Sequence, residues 1–200
     1  MIYLITSMNG ISEDAWLKRI KNLMSEGLDN VIIREKEIDS YKLGCLTGQL
    51  KEYRDKNHLK SKIILHSNIK LAKSLGIDGI HIPYILYKNY DDKSKNELQK
   101  FKANGIVGFS AHSIEEVKEV EFLADYVLVS PVFKPSCKEV RGKGTQWIKD
   151  IVYESNIEVV ALGGITSSNV QSIYGCGINS VAIMSSLMNI NGKIEEFKNN

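Results

Sequence analysis

Short aliphatic and β-branched runs recur along the chain, and between them lie longer stretches whose apolar positions repeat at helical spacing. The runs predict eight strands, at 2–6, 30–34, 62–65, 79–82, 105–109, 126–130, 158–162 and 180–184. Between and after them, eight helices are predicted over 13–26, 40–56, 68–74, 93–102, 113–122, 145–154, 166–174 and 186–197. Several helices carry start signals. Ser113 followed by Glu116 has capping-box spacing, in which each side chain satisfies a backbone N–H that the first turn leaves free. Ser12 and Asp39 or Ser40 are further N-cap candidates.

Eight strand–helix units of about 25 residues each match the α/β class and a (β/α)₈ TIM barrel. A doubly wound open sheet is the alternative, but the first strand ends in TSMNG, without the Gly-rich turn that such folds use to hold a dinucleotide. No Pro- or Ser-rich linker divides the chain, so residues 1–200 read as a single compact barrel domain. The longest connection without a helical pattern follows strand six, and long loops in compact barrels tend to carry function.

Composition narrows the function classes. The 26 basic and 24 acidic residues are interspersed, so no basic arm exists to grip a nucleic-acid backbone. No apolar run approaches the roughly 18 residues of a membrane span, and the N-terminus lacks the basic and apolar regions of a secretion signal. Cys45, Cys137 and Cys176 form no CxxC pair and read as reduced thiols, consistent with a cytoplasmic protein. A homo-oligomer is compatible with all of this.

Barrel chemistry sits where strands end and the following loops begin. Arg34 and Lys36 lie two apart at the end of strand two and therefore share one side of an extended chain, two cations suited to an anion. Gly163 and Gly164 end strand seven and Ser185 and Ser186 follow strand eight, where barrels commonly bind phosphate through backbone N–H groups. Ser110 follows strand five, and Lys138 and Lys143 in the loop after strand six add charge. His66, His81 and His112 stand near strand ends as candidate acids or bases, and Cys137 is a candidate thiol. No His-x-His or HExxH spacing points to a metal.

The segments IREK, LAKSLGIDGIHI, GFSAHSIEEVKEVEFLADYVLVSPVF, a trailing CK, VVALGGIT with Asn169, and VAIMSS resemble, in order and spacing, the thiamine phosphate synthase/TenI family. The resemblance implies a (β/α)₈ barrel acting on phosphorylated thiazole and pyrimidine precursors of thiamine. Its synthase branch joins a hydroxymethylpyrimidine pyrophosphate to a thiazole phosphate with Mg²⁺ held by two Asp residues. Those positions fall here at Ser67 and near Leu86. Its TenI branch aromatises a thiazole carboxylate phosphate by moving a proton, without metal.

The expected function is therefore a thiazole tautomerase-like isomerase with no cofactor, in which Arg34, Lys36, Ser110, Lys138, Gly163, Gly164, Ser185 and Ser186 bind the substrate. The histidine that moves the proton in such enzymes aligns with Pro131, so His66 is the first substitute base, followed by Cys137 and His81. Two alternatives stand beside this reading. One is a divergent thiamine phosphate synthase, which would use Mg²⁺, and the other a non-catalytic binder of thiazole or thiamine phosphate.

Overall fold

The computed structural model describes residues 1–134 and 141–199. Eight parallel strands close a barrel in chain order: β1 Ile2–Ile5, β2 Asn30–Ile33, β3 Lys62–His66, β4 Gly79–Pro83, β5 Ile106–Ala111, β6 Tyr126–Val129, β7 Glu158–Leu162 and β8 Ser180–Ile183. Around it lie α1 Glu13–Ser25, α2 Ser40–Lys56, α3 Ile69–Leu75, α4 Tyr84–Lys88, α5 Asp92–Lys102, α6 Ile114–Val120, α7 Gly144–Glu154, α8 Val170–Tyr174 and α9 Ser185–Met188. The barrel expected from the strand periodicity is the one observed.

Side-chain alternation divides each strand between two cores. Outward residues such as Leu4, Ile33, Leu65, Val107 and Val129 pack under the helices, where Trp16, Ile20, Leu23 and Leu50 are fully buried. Inward residues Tyr3, Ile5, Ile32, Ile64, Tyr126, Leu128, Val160 and Ala182 fill the barrel. Gly108 has a packing reason to be glycine, because a Cβ there would lie 2.0 Å from Cζ of Tyr126 on the neighbouring strand.

The end of the barrel where the strands start is held by a recurring device. Asp29, Asp78 and Asp125 immediately precede β2, β4 and β6, and each accepts a hydrogen bond from a backbone N–H of the strand before. The donors are Ile2 at 2.7 Å, Ile63 at 2.8 Å and Val107 at 2.8 Å. Strand starts would otherwise leave N–H groups unpaired.

The helix starts follow the sequence signals. Ser12 accepts from Ala15 N and Asp39 from Lys42 N. Ser113 accepts from Glu116 N, while the Glu116 carboxylate reaches back to His112 N at 2.6 Å, one residue earlier than the usual capping box. Two differences from the expected elements have local causes. Residues 84–88 form a short helix where a loop was expected, because Tyr84 is buried and donates to Glu119 and Tyr87 packs edge-on against Phe109. The helix expected over 186–197 breaks into α9 and a 3₁₀ turn at Ile194–Phe197. The buried Arg19 takes the Leu187 carbonyl at 2.7 Å, and a turn at Asn189–Gly192 replaces the next helical turn.

Candidate active site

A cavity of about 730 Å³ opens at the strand C-terminal end, within the roughly 300–1,000 Å³ of small-molecule sites. Its walls bring together most of the residues singled out in the sequence: Arg34, Lys36, His66, His81, Ser110, Lys143, Gly163, Gly164, Ser185 and Ser186. His112, Ser130, Pro131, Lys134 and Thr166 complete the lining that matters chemically. Cys137 and Lys138 lie outside the described residues.

On one side stand the cations of β2. Arg34 and Lys36 face the cavity because Glu35, between them, is tied on the opposite side. Its Oε1 accepts from Thr6 Oγ1 at 2.6 Å and Trp16 Nε1 at 2.9 Å, and its Oε2 from Met8 N at 2.9 Å. Thr6 Oγ1 in turn accepts from Arg34 N at 3.0 Å. Thus Glu35 anchors the exit of β2 to β1 and α1. Strand alternation sets Glu35 on the other side from Arg34 and Lys36, but nothing in the sequence shows that Thr6, Met8 and Trp16 converge on it.

Opposite lie the loops after β6, β7 and β8. Gly163 and Gly164 have φ +103° and +63°, in the left-handed region that favours glycine. Added Cβ atoms would stand 2.8 Å from Pro131 Cα and 2.6 Å from Lys134 O, so the pair is required by the close approach of the β6 loop. That loop is stitched to them by Val132 N to Leu162 O at 2.9 Å and Phe133 N to Gly163 O at 3.0 Å. Asn169 fixes the far side, its Oδ1 accepting from Thr166 N at 2.8 Å and its Nδ2 donating to Gly164 O at 2.9 Å. Ser185 and Ser186 open α9 beside this loop, where the first helical N–H groups have no partner within the helix.

The histidines differ in setting. His66 is half-buried, hydrogen-bonds Ser67 Oγ at 2.9 Å and has its pKa lowered to about 4, first by burial and then by Arg34 and Lys36. His81 is 2% exposed, with Nδ1 at 3.0 Å from Tyr126 Oη and Nε2 at 2.7 Å from Ser110 Oγ. Burial, His66 and Arg34 lower its pKa to about 3. Both imidazoles are therefore neutral at physiological pH. His112 is exposed, and its Nδ1 donates to the Ser130 carbonyl at 2.8 Å, which leaves the neutral ring's Nε2 as the lone-pair nitrogen. Ser130–Pro131 is a cis peptide. Lys143 donates to the His112 carbonyl and lies 4.4 Å over the Trp147 ring.

Mg²⁺ requires hard oxygen ligands, usually carboxylates. Among the described residues, no Asp or Glu lines the cavity and no group of three His, Cys, Asp or Glu side chains could hold a metal. Ser67 has its hydroxyl on His66, and Leu86 sits apolar in α4. This residue set does not fit a carboxylate-held Mg²⁺. It fits an anion instead. Among the described residues, no helix is long and apolar enough to cross a membrane.

The comparisons with known proteins agree with this architecture. The thiamine-phosphate synthase of Methanococcus maripaludis strain C5 is 26% identical over 199 residues, covering 98% of this chain and 91% of that one. The thiamine-phosphate synthase of Clostridium acetobutylicum is 29% identical, covering 94% and 86%. A solved structure, a thiamine phosphate pyrophosphorylase from Pyrococcus furiosus, superposes with a TM-score of 0.81 at 22% identity over 98% of this chain and 92% of its own, which bears on the fold. The profile of the family described as thiamine monophosphate synthase matches residues 2–187, and the chain belongs to that family, whose work is thiamine biosynthesis.

Proposed function

We propose that this chain binds a thiazole phosphate and joins it to a hydroxymethylpyrimidine pyrophosphate, the reaction for which its relatives are named, with side-chain cations meeting the pyrophosphate charge. The observation that carries the reading is the charge of the mouth: Arg34, Lys36, Lys134 and Lys143 border a cavity that holds no carboxylate among the described residues. The thiazole phosphate would sit against Gly163, Gly164, Ser185 and Ser186, and the pyrophosphate against Arg34 and Lys36. The thiazole nitrogen attacks the pyrimidine methylene carbon, a C–N bond forms, the C–O bond to pyrophosphate breaks, and the electron pair leaves with the pyrophosphate oxygen. Cations placed where charge accumulates favour that departure.

The carboxylate-free lining, with Ser67 and Leu86 at the family's metal positions, favours a second reading: the tautomerisation of thiazole carboxylate phosphate first expected from the sequence. There a neutral histidine takes a proton from one ring atom and returns it at another. His66 is weakened as a base by burial and then by the neighbouring cations, and His112 offers a lone pair on the nitrogen that its hydrogen bond to the Ser130 carbonyl leaves free.

One experiment separates the two. Purified protein is incubated with both synthase substrates, with and without Mg²⁺, and in parallel with the non-aromatic thiazole carboxylate phosphate. Thiamine phosphate formation above buffer supports the first reading, and its absence together with aromatisation replaces it by the second. Saturable thiazole phosphate binding with neither reaction leaves the protein a binder.

A further inference from the structure

Inside the barrel, three polar groups from three strands form a chain that ends at the cavity. Tyr126 on β6 is fully buried, and its hydroxyl meets only His81 Nδ1 among the described residues. His81 on β4 meets Ser110 on β5 through Nε2, and Ser110 lines the cavity. Gly108, two residues before Ser110, leaves the space that lets the Tyr126 ring lie there.

The direction of the protons follows from satisfying the buried groups. If His81 carried its proton on Nδ1 and donated to Tyr126, the phenolic O–H would have no acceptor, and a buried unsatisfied donor is costly. Tyr126 must therefore donate to Nδ1, which puts the proton of the neutral imidazole on Nε2. Nε2–H then donates to Ser110 Oγ. The Ser110 hydroxyl hydrogen has no partner among the described residues and is free to turn into the cavity. Burial and the nearby Arg34 keep the ring neutral, as this single-proton arrangement requires.

We propose that Tyr126 and His81 are positioning residues that lock Ser110 with its hydroxyl hydrogen free to donate toward the cavity, where it meets a lone-pair acceptor on the ligand, such as a carboxylate, a phosphate oxygen or an unprotonated ring nitrogen. The relay rests on the hydrogen-bond geometry and on the burial of His81. Its use on a thiazole ligand rests on the proposed function.

The tautomer can be read without any ligand, by NMR of protein labelled with ¹⁵N-histidine. The expected result is that His81 is protonated on Nε2 alone, and that Tyr126→Phe shifts part of the population to Nδ1–H. Protonation on Nδ1 in the unaltered chain, or a tautomer indifferent to Tyr126→Phe, overturns the proposal. The wild-type measurement decides the matter even if the variant unfolds.

Thiazole phosphate titration supplies the second readout. Ser110→Ala should weaken binding roughly fivefold, the scale of one hydrogen bond, and Tyr126→Phe roughly twofold to threefold. In the Ser110→Ala background Tyr126→Phe should add nothing, because its effect passes through that hydroxyl. Additive losses overturn the positioning role. Failure of the unaltered chain to bind thiazole phosphate overturns the functional reading instead, and the tautomer still decides the relay.

Discussion

Replacing Glu35 tests how the cationic mouth is built. Its carboxylate accepts three hydrogen bonds, from Thr6 Oγ1, Met8 N and Trp16 Nε1, and both Thr6 and Trp16 are completely buried. Glu35→Ala leaves all three donors without their acceptor, a cost of about 3–5 kcal/mol at roughly 1–1.5 kcal/mol per net hydrogen bond. For a chain of 200 residues that corresponds to a fall of roughly 6–20 °C in Tm, taking about 2–4 °C per kcal/mol at this size. Glu35→Gln can keep its carbonyl oxygen toward Thr6 and Trp16 and turns its amide toward Met8 N, so one donor is lost and the cost is about 1–2 kcal/mol. The assay is thermal and guanidinium unfolding of both variants, followed by titration with inorganic phosphate. Since Thr6 also holds Arg34 N, affinity should fall in the same order as stability. Equal losses for Gln and Ala, or an Ala variant that melts within about 2 °C of the parent, refute the anchoring role.

Asp78→Ala should destabilise by about 1–3 kcal/mol in denaturant unfolding, because it unpairs Ile63 N and removes one of the two carboxylates that meet Arg54, whose side chain is 12% exposed and whose Nε keeps Asp55; Asp78→Asn, which keeps the acceptor, should cost less. Gly164→Ala should weaken phosphate binding at least tenfold by calorimetry, since its Cβ would meet the Lys134 carbonyl at 2.6 Å and force the β6 loop away; unchanged affinity would show that the loop does not shape the site. The pKa of His66 falls from 6.5 unfolded to about 4 folded. Between these values the unfolded state binds more protons, so this contribution is complete above about pH 6.5 and is lost as pH falls toward 4. Unfolding free energy measured across that window should flatten in His66→Asn, and an unchanged slope would place the titration elsewhere.

The barrel was legible because every strand repeats a short apolar run that the closed sheet buries on both faces. Binary pattern also placed Arg34 and Lys36 on one side, and the structure sets both in the cavity wall. What it could not show depends on contacts between distant residues. Glu35 looks like any surface acid until Thr6 and Trp16 converge on it. Gly163 and Gly164 suggested anion-binding N–H groups, whereas their immediate requirement is room for Pro131 and Lys134. His81 was an acid/base candidate by its position at a strand end, yet both its nitrogens are engaged, and only the inward register of β4, β5 and β6 reveals the chain from Tyr126 to Ser110.

The near balance of acids and bases conceals a difference between the two ends of the barrel. At the end where strands begin, N–H groups point outward, and Asp29, Asp78 and Asp125 accept them. At the opposite end, where the described residues of the cavity wall include no carboxylate, Arg34, Lys36, Lys134 and Lys143 gather. At the first end Asp78 also meets Arg54 and Lys62, and Asp125 meets Lys102, so the charges there are paired, whereas the cavity wall is cationic. Acids placed at the mouth would pair with the cations and cancel the attraction for an anion, whereas at the other end they satisfy backbone donors. The charge of the mouth also bears on the protonation of the site, since the cations that attract a phosphorylated ligand are among those that lower the pKa of His66 and, through Arg34, of His81. Burial first, and the cations of the mouth after it, therefore keep these two imidazoles neutral, so that neither adds positive charge of its own.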